Sequence, residues 1–155
     1  MVEKNDKGFS LVEFVIVITI IAILVGIVGT QVIPYIERAK KAKDIQIVSA
    51  YCTSAMTAYT ASAEGLSETE IYTIFVKKTD TGWTVNAEDS AGNENLILEN
   101  NFYDASGVTA KNPSFRSNEG KKITQITMIC RNKRPMVQLS VIGPDNAKEF
   151  EVKAQ

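Results

Sequence analysis

The chain has 155 residues, 45% of them hydrophobic, and 17 basic against 18 acidic side chains leave a net charge of −1. That balance gives the chain as a whole no bias toward nucleic acid or anionic lipid, and the absence of histidine removes the commonest general base and the commonest metal ligand. No nucleophile–base arrangement or phosphate-binding loop stands out, and Cys52 and Cys130 fit no zinc spacing, so a non-enzyme is expected, with no catalytic residues, no metal site and no cofactor.

Residues 1–8 form a short charged leader. Residues 14–33 carry no charge, a run of about 30 Å as a helix, enough to cross a bilayer core. A secretory signal has a shorter apolar region followed by a small-residue cleavage site, and neither feature is present. Glu13 stands at the head of the run, where an acid costs roughly 2.5–3.5 kcal/mol on insertion scales and so needs a partner or a task. Its first-turn position favours an anion through the helix dipole. On a plain anchor it would only snorkel to the headgroups. Arg38, Lys40, Lys41 and Lys43 follow the run while Lys4 and Lys7 precede it. Charge balance alone therefore places the C-terminal part in the cytoplasm.

Pro34 removes one helical hydrogen bond and its ring clashes with the preceding turn, so a kink is expected around residues 30–34. Gly26 and Gly29 weaken the helix just ahead of it. Residues 35–64 read as an amphipathic helix in which Ile45, Val48, Cys52, Ala55 and Tyr59 recur at three- and four-residue steps. Glu37 and Asp44 offset part of the basic cluster, Glu37 lying four residues before Lys41 in the favoured order. Gly65 is the expected stop.

Beyond it the pattern changes to strands and turns. Residues 71–76 are β-branched and aromatic, Asp80-Thr81-Gly82 is a turn signal, and Trp83-Thr84-Val85 alternates. Residues 89–95 form a polar loop whose acids follow no EF-hand pattern, and residues 94–104 suit a short helix or a loop. Residues 123–131, 136–142 and 148–153 predict a three-stranded antiparallel meander with one apolar face, carrying Cys130, Leu139, Phe150 and Val152. The stripe of the long helix would cover that face. Cys130 and Cys52 then both point inward as a candidate disulfide, which would close a long loop worth about 4 kcal/mol, or as two buried thiols. Residues 64–110 hold nine acids against Lys77 and Lys78, and residues 111–134 hold seven bases against Glu119. In a helical polymer such segments would meet between neighbours and help fix register. The basic segment lacks the fold signature or aromatic array of a nucleic-acid binder, so direct binding of nucleic acid is not expected.

The stretch Lys7-Gly8-Phe9-Ser10-Leu11-Val12-Glu13-Phe14, with its charged leader and long apolar helix, resembles the prepilin N-terminal motif of type IV pilins and pseudopilins. Tyr35-Ile36-Glu37-Arg38-Ala39-Lys40 resembles the same region of Gram-positive pilins. The likeness covers about the first forty-five residues, and its specificity outweighs the charge balance. The chain departs from the usual pattern in having Ala22 for a glycine and Thr30 for a proline.

The resemblance implies an α+β pilin fold: a leader (1–8), a hydrophobic transmembrane and filament-core helix (9–34), an amphipathic half (35–64), and an αβ-loop with a small antiparallel sheet (65–155). It further implies cleavage by prepilin peptidase between Gly8 and Phe9, N-methylation of Phe9, and pairing of Glu13 with the Phe9 amine of a neighbouring subunit. The implied partners are other pilin subunits in a homopolymer, prepilin peptidase, an assembly platform protein and its ATPase, and membrane lipid before assembly. The implied role is that of a filament subunit, a major pilin serving adhesion, motility or related uptake, with a secretion or competence pseudopilin as the close variant. A single-pass surface receptor or adhesin is the reading from another class.

Overall fold

A computed structural model describes residues 9–107 and 112–154. The chain divides into an N-terminal unit that ends at Arg38 and a head that begins at Ala39.

The N-terminal unit is helical. Ser10 is extended (φ −72°, ψ 142°) and begins α1, Leu11–Ile27. A π turn, Val28–Val32, follows and leads into α2, Ile33–Ala61. In the π turn the Ile33 amide donates to the Val28 carbonyl, five residues back. The irregularity expected at residues 30–34 is therefore a widened turn placed just ahead of Pro34. This placement has a local reason: proline offers no amide and crowds the carbonyl four residues before it, and two glycines nearby lower the cost of leaving α geometry. The Thr30 hydroxyl donates back to the Gly26 carbonyl at 2.9 Å. Every residue from Phe9 to Ile36 is exposed.

In the head, the stripe read from the sequence is the packing face of α2. Val48, Cys52, Ala55 and Tyr59 are buried, joined by Tyr51 and Ala58, while Ile45 is half-buried. α2 stops at Ala61, a few residues before the expected end at 64. The Ser62 hydroxyl donates to the Ala58 carbonyl at 2.8 Å and accepts from the Asn101 amide, after which a 3-10 turn, Ala63–Gly65, takes over.

The sheet has five antiparallel strands: β1 Tyr72–Thr79, β2 Gly82–Glu88, β3 Gln125–Cys130, β4 Val137–Ile142 and β5 Val152–Ala154, in the order β2-β1-β3-β4-β5. The expected meander is thus extended by the β1–β2 hairpin, with Ile74 opposite Met128 and Met128 opposite Leu139. The third meander strand is shorter than residues 148–153. Ala147–Phe150 is a 3-10 turn, and Phe150 reaches the core from it. A spacing of two places Phe150 and Val152 on one side of a strand, yet burial of a large aromatic ring drives either conformation equally well. Strand burial alternates as a one-sided sheet requires: Ile74, Val76, Ile126, Met128, Leu139 and Val141 are all buried.

The segment at 94–104, which suits a short helix or a loop, is a helix, α3, Leu96–Ser106. The Asn95 side chain accepts from the Leu98 amide at 2.9 Å and caps it. Leu98 and Phe102 are buried, and the Phe102 ring stacks with Tyr51 at a centroid distance of 6.2 Å.

Candidate functional site

Glu13 is the only acid in the first turn of α1, three residues after Ser10. The Ser10 amide donates to Glu13 Oε2 at 2.9 Å. The carboxylate therefore closes a capping box, satisfying one of the amides that a helix start leaves without a partner. The S-x-x-E spacing was present in the sequence as Ser10-Leu11-Val12-Glu13, and it gives Glu13 a local task in addition to any intermolecular one. Phe9 lies directly before this cap and is 76% exposed. Gly8 and the other residues of the expected leader lie outside the described residues.

The side chains after Glu13 present an apolar surface on all sides with no protein covering them. Among the described residues, this is the one helix long and apolar enough to cross a membrane. So large an uncovered apolar surface requires lipid or other subunits around it. Pro34 is exposed, at the first turn of α2.

Cys52 and Cys130 are free thiols in this structure, both buried. Cys52 Sγ lies 4.0 Å from the Val137 carbonyl, and Val137 is the cross-strand partner of Cys130. The two therefore sit on facing elements of the core. Burial raises both thiols, Cys130 to about 12, which keeps them protonated and poor nucleophiles at neutral pH.

Sequence reasoning missed the part played by Asp44. It was expected to offset surface lysines, but it is fully buried. Its carboxylate accepts from the Arg116 amide at 2.9 Å, the Ser117 amide at 2.8 Å and the Ser117 hydroxyl at 2.5 Å. Ser117 Oγ in turn accepts from the Gly120 amide. A Cβ at Gly120 would overlap the Asp44 carboxylate, so only glycine fits there. One signal was available: Asp44 stands one turn before Val48, on the line that continues to Cys52 and the core. Lys41 bridges to Glu149 and lies 5.7 Å from the Phe150 ring centre. Lys122 bridges Glu119 at 3.1 Å and Asp145 at 2.6 Å, and these two acids hold its ammonium above the usual lysine range.

Glu99 is strained electrostatically. Its Oε2 is buried with no hydrogen-bond partner, and burial followed by the nearby Glu94 raises its carboxyl above the usual range. The folded state therefore holds the Glu99 proton to higher pH than the unfolded chain does, so stability falls as pH rises through that window. Glu99→Gln removes the charge and is expected to raise Tm at pH 7, with the gain over wild type fading as pH falls toward the unfolded carboxyl's value and gone below about 4. Thermal melts of both proteins across pH 3–8 (roughly the carboxylate range and above) measure it. A gain that persists unchanged at acid pH would refute the assignment.

The N-terminal geometry defines a class: a chain with an acid-capped apolar helix and an α+β head. Residues 4–29 match the family model described as the prokaryotic N-terminal methylation motif, so the chain carries the signature of type IV pilins and pseudopilins. No curated protein and no solved structure matches the chain. The motif implies processing by prepilin peptidase and assembly with other subunits, and the helix–sheet head is an arrangement like the type IV pilin fold.

Proposed function

We propose that the chain is the precursor of a filament-forming pilin. The peptidase cuts between Gly8 and Phe9, the new Phe9 amine is methylated, and the subunit waits in the bilayer through α1 with its head on the outer side. An assembly platform protein and its ATPase then transfer it into a surface filament, where the apolar helices bundle. The observation that carries this reading is the lone acid at the start of an apolar helix, Glu13, one turn from the cleavage point within a matched methylation motif. Leader removal creates a cation beside an existing anion, so the intermolecular pair becomes available only to processed subunits. A secretion or competence pseudopilin would use the same chemistry, and neighbouring genes for a retraction ATPase or a DNA-uptake channel separate these roles.

Cleavage is the direct test. Co-expression with prepilin peptidase is expected to remove residues 1–8 and add one methyl group, read as the intact mass of the recovered protein. Gly8→Ala adds a methyl where the protease groove requires none and is expected to slow or block the cut. An intact N-terminus in the wild-type chain, with stable membrane residence, would leave a single-pass anchored receptor or adhesin instead.

A further inference from the structure

Exposed charge is spread unevenly over the head's sheet, with bases in excess at one end and acids in excess at the β2 corner of the other. One end is where the chain enters at Ala39. Three features fix its composition: Asp44 holds the loop at residues 116–117, Lys122 ties that loop to Asp145, and the Lys78 amide donates to the Thr124 carbonyl at 2.8 Å. Glu119, Asp145 and Glu149 there are engaged by Lys122 and Lys41. Exposed Lys43, Lys78, Arg116 and Lys121 remain, with exposed Asp80 in the β1–β2 turn as their counterweight, beside Ile142, which is 54% exposed.

The other end lies about 20 Å away along β2. There Glu88 pairs with Glu94 across an isolated bridge, next to Asp89, and Leu96 and Ile97 are 60% and 58% exposed. The bases at that end, Arg131, Lys133 and Arg134 in the β3–β4 turn and Lys153 on β5, lie across the sheet from β2, and the first two border a separate cleft with Glu68 and Glu70. Bridged Glu88 and Glu94 and two uncovered aliphatic side chains are features that a cationic, partly apolar partner would relieve.

Because acidic corner and basic base stand at opposite ends of one sheet, they cannot meet within a chain. Between copies they make a heterologous contact, the kind that propagates as a helix rather than closing as a dimer. We propose that the β2–α3 corner of one head (Glu88, Glu94, Leu96, Ile97) docks on the base of the next (Arg116, Lys121, Ile142), setting the axial register of the filament. This rests on the pilin reading above.

The test is a charge exchange in full-length precursor expressed with the assembly machinery. A base-reversed chain, Arg116→Glu with Lys121→Glu, and a corner-reversed chain, Glu88→Lys with Glu94→Lys, are each expected to be cleaved normally yet yield about tenfold fewer filaments or less. A chain carrying all four changes regains complementarity and is expected to recover filaments. Co-expression of the two single-end variants is expected to give filaments containing both. Wild-type yield from either single-end variant overturns the docking. So does failure of the four-change chain, which would mark the losses as general damage. Loss only from base reversal, with reduced association with vesicles containing phosphatidylglycerol, overturns it in favour of a lipid surface as the partner of the base. If the wild-type chain itself forms no filament, the pilin reading falls and this contact with it.

Discussion

Asp44→Ala is expected to unfold the base of the head while leaving the N-terminal helix intact. The substitution leaves two backbone amides and a hydroxyl in a dry site without their acceptor. Each such loss costs about 1–3 kcal/mol, and bonds to a charged acceptor lie at the upper end. A total of about 3 kcal/mol or more follows, which for a head of this size lowers Tm by on the order of 10 °C. The loop between Asn112 and Thr124 carries no long helix or strand of its own, only the turn Gly120–Lys122, so the Asp44 contacts supply much of what orders it. Hydrogen exchange should show this directly: the Ser117 and Gly120 amides lose protection first, while β3 and β4 amides follow only with global unfolding. Asp44→Asn keeps one acceptor oxygen and is expected to fall between the two. Gly120→Ala tests the same contact from the other side, since its methyl displaces the carboxylate. Unchanged Tm in Asp44→Ala would mean that water replaces the carboxylate and that the latch carries little.

What was legible in the sequence followed from local pattern. Twenty uncharged residues ending at Ile33 are enough for a helix of membrane length. The i, i+3, i+4 stripe through Val48, Cys52, Ala55 and Tyr59 was sufficient to orient α2, because burial on a helix depends on residues a turn apart. Alternation in β3 and β4 placed Met128 and Leu139 correctly for the same reason. Features that depend on residues far apart were not legible. The acceptor role of Asp44 depends on backbone amides 72 and 73 residues away, and amides have no sequence signature. The addition of β1 and β2 to the edge of β3 is a choice among sheet orders that no single strand encodes. Phe150 was read onto a strand because a 3-10 turn buries the same ring. Within the candidate site, Glu13 announced itself by cost, while its cap on the Ser10 amide went unread although the S-x-x-E spacing permits it.

That cap makes the second large effect a discriminating one. Glu13→Ala is expected to leave cleavage after Gly8 largely intact and to abolish filaments, with mature subunits accumulating in the membrane. Two losses are combined in that variant, however: the negative charge, and the acceptor that holds the Ser10 amide at 2.9 Å. Glu13→Gln separates them. Glutamine keeps an oxygen within reach of the Ser10 amide and completes a capping box nearly as well as glutamate, but it cannot form an ion pair with a neighbour's Phe9 amine. Opposite charges about 4 Å apart attract by roughly 4 kcal/mol at an effective dielectric of 20, and by more in a lipid-like surrounding, which an amide cannot match. If the pair selects register, Glu13→Gln behaves as Glu13→Ala: processed, methylated and unassembled. If Glu13 serves only to begin the helix, Glu13→Gln builds filaments at wild-type yield and only Glu13→Ala fails. Counting sheared filaments from the three strains, alongside the intact mass of the membrane-held subunit, decides between a charge that recruits the next subunit and a cap that shapes its own.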